Sequence, residues 1–330
     1  MLKLLDFAPM ESLGSVVFRR AHARLFSGVD RYFIAFVTPT REPHFTERQL
    51  REIAPEANVG FVAVPQLLTR RAEDFIWAAH ALADLGYREV NFNLGCPAGT
   101  VTAKGKGAGF LRSPDELERF FAAVFEKPLP IAVSLKTRLG WSDVSEFERL
   151  ADVFNHFPFA SVTVHARLKT DLYRGHARLD AFEDAVGLLV HPVIYNGDIV
   201  TDNDYESVIG RFPTLAGVMV GRGLIADPAL FRKLRGGKSA TAEEINQFTQ
   251  ELFEGYCRAW NNRKNALMRM KEYWFLLANL FAGDSKACFK AICRAKNESD
   301  YTSAVRSLLS QELLPHARMG WHKPLSDQDR

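Results

Sequence analysis

The sequence predicts an α/β fold: a (β/α)8 TIM barrel over residues 1–238, followed by a smaller all-helical segment over residues 239–330. Three observations predict it. Short apolar runs alternate with amphipathic segments eight times within the first 238 residues, the arithmetic of a barrel built from strand and helix units. Beyond Thr241 strand candidates stop, and apolar residues recur at spacings of three and four, the period of a helix face. The glycines and polar residues that interrupt the pattern fall at the C-terminal ends of the predicted strands, the end where such barrels place their sites.

Taken in order, residues 2–7 form the first predicted strand, Ala8-Pro9-Met10-Glu11 a turn, and residues 15–26 a helix. The second strand spans 32–37, a charged helix 46–53, and the third strand 59–64, ending in Pro65-Gln66. A helix over 71–85 stops at Gly86, and the fourth strand occupies 89–94. Ser113, Pro114 at the first helical position and Asp115 and Glu116 in the first turn announce a helix to Phe125, since proline and acidic side chains suit a helix start. Strand five spans 131–136, a helix 144–157, strand six 161–165 and a helix 179–189. Strand seven covers 192–195 and ends in Asn196-Gly197-Asp198, residues 202–209 are helical, and strand eight covers 217–220 with a short helix from Pro228. In the C-terminal segment, Leu267, Met270, Trp274, Leu277 and Phe281 give one helix an apolar face.

With 330 residues and 47% apolar content the chain can fill a large core. No run approaches the length of a membrane span, and the N-terminus lacks the apolar stretch of a signal peptide. Four cysteines without CxxC or zinc spacing exclude a disulfide framework and a structural metal site and point to the reducing cytoplasm. Net charge is only +3, so affinity for nucleic acid has to come from a local patch. Residues 258–296 supply one: nine Lys or Arg stand against Glu272 and Asp284, a solvated surface or a phosphate-binding face.

The chemistry concentrates in VNFNLGCPAGTVTAKGKGAGFL, residues 90–111. Alternation of Val90, Phe92 and Leu94 with polar neighbours suits a strand ending at Gly95. Pro97 disfavours helix at Cys96, which leaves the thiol on an extended residue at the strand mouth. Lys104 and Lys106 among Gly99, Gly105, Gly107 and Gly109 fit a mobile basic loop over it. Cys96 is either a functional thiol or a small buried hydrophobe. Lys136 is a strand-end ion-pair partner, a Schiff-base amine or a charge beside an anionic ring; His165 is a site residue or a satisfied rim histidine. Asn196-Gly197-Asp198 is a site or only a turn. Gly221-Arg222-Gly223 opens a helix after strand eight, where barrels hold phosphates.

Together these positions resemble the tRNA-dihydrouridine synthases, which are flavin enzymes. The resemblance runs through Ala8-Pro9-Met10-Glu11, Gln66-Leu67, Asn93-Leu94-Gly95-Cys96-Pro97, Lys136-Thr137-Arg138-Leu139-Gly140, Val164-His165-Ala166-Arg167, Asn196-Gly197-Asp198-Ile199 and Val220-Gly221-Arg222-Gly223. Ser12-Leu13-Gly14 stands where the family often has Gly-Val-Thr. The resemblance implies bound FMN, with Pro9, Met10, Glu11, Gln66 and Lys136 around the ring and His165, Asn196, Gly197, Asp198, Gly221 and Arg222 toward the ribityl phosphate. It implies Asn93 and Cys96 at the uracil, and Lys104, Lys106, Arg138, Arg167, Lys169, Lys264, Arg269 and Lys271 toward tRNA. NADPH is the implied reductant and Cys96 the proton donor to C5, in a monomer. Two other classes fit less of the chain: a barrel oxidoreductase for a free small molecule, as in dihydroorotate dehydrogenase-like proteins, and a non-catalytic RNA-binding barrel.

Overall fold

The structure, a computed structural model, describes residues 3–319; Leu2 of the expected first strand and residues 320–330 of the expected helical segment lie outside the described residues. Eight parallel strands close a barrel in sequence order, β1 (Leu4–Phe7), β2 (Arg31–Val37), β3 (Ala63–Leu67), β4 (Glu89–Asn93), β5 (Ala132–Gly140), β6 (Val162–Leu168), β7 (Val193–Asn196) and β8 (Gly217–Val220). Around it lie α1 (Val16–Leu25), α2 (Glu47–Ile53), α3 (Ala72–Asp84), the short α4 (Gly99–Thr102), α5 (Pro114–Val124), α6 (Glu146–Asn155), α7 (Leu179–Leu188) and α8 (Asp202–Arg211). After β8 come α9 (Arg222–Ala226) and α10 (Leu230–Leu234), then the appendage of α11 (Ala242–Trp260), α12 (Arg263–Leu277), α13 (Ser285–Arg294) and α14 (Glu298–Leu309).

Alternation along the strands sorts the two faces. Val90, Phe92, Val133, Leu135, Val162 and Val164 join the large core between sheet and helices. Their neighbours turn to the barrel axis, where Phe33, Val64, Ile194 and Met219 form a separate apolar layer. Above that layer the inward positions are polar: Gln66, Asn93, Lys136, His165 and Asn196. A polar tier capping an apolar plug is what makes the C-terminal face of this barrel chemically competent.

Four expected elements differ. The third strand is Ala63–Leu67 instead of 59–64: Val59 and Val62 are 75% and 58% exposed, and Gly60 sits at φ +90°, so the run before Ala63 is a surface turn. Strands five and six run on to Gly140 and Leu168, because β5 and β6 keep pairing past the predicted ends with a register shift between Arg138 and Gly140. The basic loop is no open flap. Its glycines fold into α4 and a 3-10 helix over Gly107–Arg112, with Gly107 to Leu111 buried.

The appendage is fixed to the barrel by apolar and hydroxyl contacts. Phe18 of α1 stacks on Tyr273 of α12 with ring centroids 5.9 Å apart. Tyr273 donates its hydroxyl to Leu13 O at 2.7 Å, and Tyr256 joins Ser15 (2.7 Å) to Tyr273 (2.8 Å). The predicted apolar face of α12 is buried at Leu267, Met270, Trp274 and Leu277, with Phe281 just beyond it.

Candidate active site

Cys96 sits where β4 gives way to α4, half-buried at the barrel mouth. Its backbone is held from beneath by an amide relay. Asn93 Oδ1 accepts from the N–H groups of Gly95 (3.0 Å) and Cys96 (2.9 Å). Backbone N–H groups only donate, so the Asn93 amide must present its oxygen there and its nitrogen elsewhere. That nitrogen donates to Gln66 Oε1 at 2.7 Å, Gln66 Nε2 to Asn91 Oδ1 at 2.6 Å, and Asn91 Nδ2 to Ser134 Oγ at 2.9 Å. The orientation of three buried amides on β3 and β4, ending on the Ser134 hydroxyl of β5, is thus dictated by one strand-end turn. Above, Cys96 O accepts from Ala108 N–H at 3.0 Å, and a Cβ on Gly107 would lie 2.9 Å from that oxygen.

Burial pushes the Cys96 thiol above its ordinary pKa, the Ala98 backbone N–H pulls down, and Glu11 adds a further push upward. The thiol therefore keeps its proton at neutral pH. Lys136, one strand over, donates to Asn196 Oδ1 at 2.8 Å, and Asn196 is itself oriented by donating to Met219 O at 2.7 Å. Burial first, and Arg138 second, bring the ammonium down to about 7. His165 is held neutral, well below its ordinary value, by burial and by Arg138, Lys136, Arg167 and Arg222 around it.

Four residues expected at the RNA are engaged within the protein. Arg167 has no side-chain exposure; it binds Asp198 at 2.6 Å and donates to Gly175 O and Arg174 O. Carried inside the extended β6, it braces the site from within. Arg138 is 1% exposed, and its guanidinium donates to Gly95 O (2.8 Å), Leu168 O (2.8 Å) and Leu172 O (2.9 Å). It fixes the turn before Cys96, and only its edge beneath Tyr173, 5.3 Å from that ring, still faces the mouth. Lys271, expected at the RNA, donates to Cys293 O and Ala295 O and so caps α13. Arg269 pairs with Glu272 and lies against Trp260.

Lys104 and Lys264 are exposed, and Lys106 is half-buried with its ammonium depressed chiefly by burial. Lys169 rests 4.2 Å over Trp141, and Arg112 lies 5.0 Å from the same ring. Pro9 and Met10 are half-buried while Glu11 is exposed. Asp198, an anion, cannot ligate a phosphate directly; its carboxylate stands 3.6 Å from Arg222 and orients that cation instead. Sequence reasoning missed Asn91, Ser134 and Tyr173. Asn91 carried a signal, a second polar residue two before Asn93 on the inward face of β4; Ser134 and Tyr173 carried none.

The residues fit a flavin phosphate ester. Lys136 has three donors and, among the described residues, one acceptor, which leaves N–H groups for an anionic ring edge. The protein itself leaves no room for a side chain at two of the expected positions: a Cβ on Gly197 would lie 2.0 Å from the Tyr195 hydroxyl, and one on Gly221 2.9 Å from Met10 Sδ. At five residues α9 adds little dipole, so Arg222 is the side chain there that could take a phosphate.

The model of the dihydrouridine synthase family matches residues 6–306. A tRNA-dihydrouridine(16) synthase of Cupriavidus necator is 34% identical over 70% of this chain and 73% of its own. One of Neisseria meningitidis serogroup A is 28% identical over 83% and 85%. Among solved structures, morphinone reductase superposes with a TM-score of 0.52 at 13% identity, covering 74% of this chain and 88% of its own. A 2-naphthoyl-CoA reductase reaches 0.55 at 10% identity, over 71% and 50%. These two share the fold.

Proposed function

Because the chain belongs to the dihydrouridine synthase family, we propose that it reduces the C5=C6 bond of a uridine in tRNA to 5,6-dihydrouridine, with NADPH as reductant and Cys96 as proton donor. It is a flavin-dependent oxidoreductase. Residues 1–238 carry the chemistry and residues 239–330 hold the tRNA. The observation that carries the reading is the Cys96 thiol at the barrel mouth, its turn held by Asn93 and Arg138, one strand away from Lys136.

Saturating the bond needs a hydride at C6 and a proton at C5, and FMN, when bound, supplies the hydride chemistry that links NADPH to the base. The protein supplies the rest. Pro9, Met10, Glu11, Gln66 and Lys136 surround the ring. Gln66 already accepts from Asn93 and donates to Asn91, so its remaining Nε2 hydrogen is a donor of fixed direction. Neutral His165, Asn196, Gly197 and Gly221 line the path to Arg222, which Asp198 holds in place. A neutral thiol is the right form for a general acid, and its raised pKa keeps it so. Asn93 offers the same buried position from which it fixes Cys96, and Lys104, Lys106, Lys169 and Lys264 lie on the tRNA side.

The position is uridine 16, supported by the printed names of the Cupriavidus and Neisseria relatives. The test uses purified protein, NADPH and tRNA lacking dihydrouridine, with the product mapped by nucleotide. Dihydrouridine at position 16 is expected. Product elsewhere corrects the position alone, while turnover of free uridine or orotate without tRNA turnover overturns the reading.

A further inference from the structure

Two tyrosines of the appendage are buried against the loop that follows β1. Tyr256 of α11 and Tyr273 of α12 are 2% and 0% exposed, and burial raises both phenol pKa values, so each keeps its one proton at neutral pH. Those protons fix the direction of every bond between them. Leu13 O only accepts, so Tyr273 spends its proton there, at 2.7 Å. Its oxygen then accepts from Tyr256 at 2.8 Å, and Tyr256, its own proton spent, accepts from Ser15 Oγ at 2.7 Å. The hydroxyl chain leaves the loop at residue 15, crosses the appendage and returns at residue 13.

The barrel holds the same loop from its other side. Gly14 O accepts from the buried Arg19 guanidinium at 2.7 Å, and Val16 N–H donates to the Glu52 carboxylate at 2.8 Å, which also pairs with Arg19. Upstream, Met10 O accepts from the N–H groups of Leu13 (3.2 Å) and Gly14 (2.7 Å). A Cβ on Gly14 would lie 3.0 Å from that same oxygen, so the turn has no slack. Displacing Leu13 therefore displaces Met10. At its far end Met10 Sδ stands 2.9 Å from where a Gly221 Cβ would be, at the turn that carries Arg222.

Attachment of the appendage needs only apolar contact, which the stack of Phe18 on Tyr273 already supplies. Buried hydroxyls exchange water for a protein partner and add little net stability; what a directed chain adds is a fixed geometry. We infer that Tyr273, backed by Tyr256, is a positioning residue for Met10 in the flavin site, so that the helical appendage completes that site from outside the barrel. The inference rests on the placement of Met10 at the flavin ring and extends it to side chains about 250 residues away that do not touch the ring.

The experiment uses the full-length, flavin-loaded protein and follows FMN release on dilution by the fluorescence of the free flavin, with the visible dichroism of the bound flavin as a second readout. Phenylalanine keeps the ring stacking at both tyrosines, so the variants fold. Tyr273→Phe leaves Leu13 O without its donor and should raise the dissociation constant about 2- to 10-fold, the worth of one hydrogen bond, and alter the dichroism. Tyr256→Phe also deletes one buried hydroxyl but spares the bond to Leu13 O. It should lower the urea midpoint as Tyr273→Phe does, yet change FMN affinity by less than about 2-fold. Wild-type FMN affinity and dichroism in a Tyr273→Phe protein would reduce the tyrosine to a structural joint and overturn the inference. Equal losses of affinity in the two variants would overturn it too, because docking of the appendage as a whole would then set the site. Failure of the unaltered protein to hold FMN would instead overturn the flavin placement on which the inference stands.

Discussion

Cys96 and Lys136 act at the residue scale, and each has a separable signature. A thiol that only protonates C5 has no part in moving hydride from NADPH to the flavin. Cys96→Ala should therefore reduce its flavin at the wild-type rate and lose about 10² to 10⁴ in the reduction of tRNA, as stopped-flow absorbance with and without tRNA will tell. Cys96→Ser should behave alike, because a hydroxyl is a far weaker acid. Lys136 makes a pH prediction for the flavin-free protein. Its folded pKa of about 7 lies below the ordinary lysine value of 10.5. Between those values the unfolded chain holds a proton that the folded chain lacks, so stability contributed by this group rises with pH. From pH 7 to 9 the rise should amount to about 2–3 kcal/mol at 1.36 kcal/mol per unit. Urea titrations of Lys136→Met should show that rise gone; parallel profiles for the two proteins would contradict the assignment.

The β4 end is the element on which the site depends. Its turn is held by the relay below, by Arg138 from the side and by the 3-10 helix above. Ser134→Ala leaves Asn91 Nδ2 without its acceptor in the barrel floor, which should cost about 1–3 kcal/mol. The same change frees the amide chain to reorient, so tRNA turnover should fall more than NADPH-driven flavin reduction. Ser134→Thr, which keeps the acceptor oxygen, should recover most of the loss. Gly107 makes the companion case: at φ +56° and with a Cβ 2.9 Å from Cys96 O, alanine is both strained and crowded. A Gly107→Ala protein with an unaltered rate of tRNA reduction would show that the loop does not position the thiol.

Across the whole molecule, α12 serves two surfaces. One side joins the barrel through Tyr273 and Phe18, and the other carries the exposed cations. Lys264 has no structural partner among the described contacts, whereas Lys271 caps α13 through Cys293 O and Ala295 O. Lys264→Ala should thus leave the melting temperature unchanged. Lys271→Ala should lower stability by about 0.5–1.5 kcal/mol, the worth of its hydrogen bonds, measured by thermal or urea unfolding. Similar melting temperatures for the two variants would place both ammonium groups in solvent.

The barrel, its helical appendage and most mouth residues were legible in the sequence, because each rests on a local signal. Alternation marked β4, threefold and fourfold spacing marked α12, and Pro97 after Cys96 set the thiol at a strand mouth. Depth was not legible. Arg138, Arg167 and Lys271 read as free cations, since nothing local distinguishes a solvated guanidinium or ammonium from one donating to carbonyls and a carboxylate that the fold brings to it. The glycine-rich loop read as mobile for the same reason: its order comes from contacts with the Cys96 turn that α4 and the 3-10 helix bring together. Local periodicity determined which residues face the axis; the closure of the barrel decided which of them touch, and so which cations brace the site and which remain for RNA.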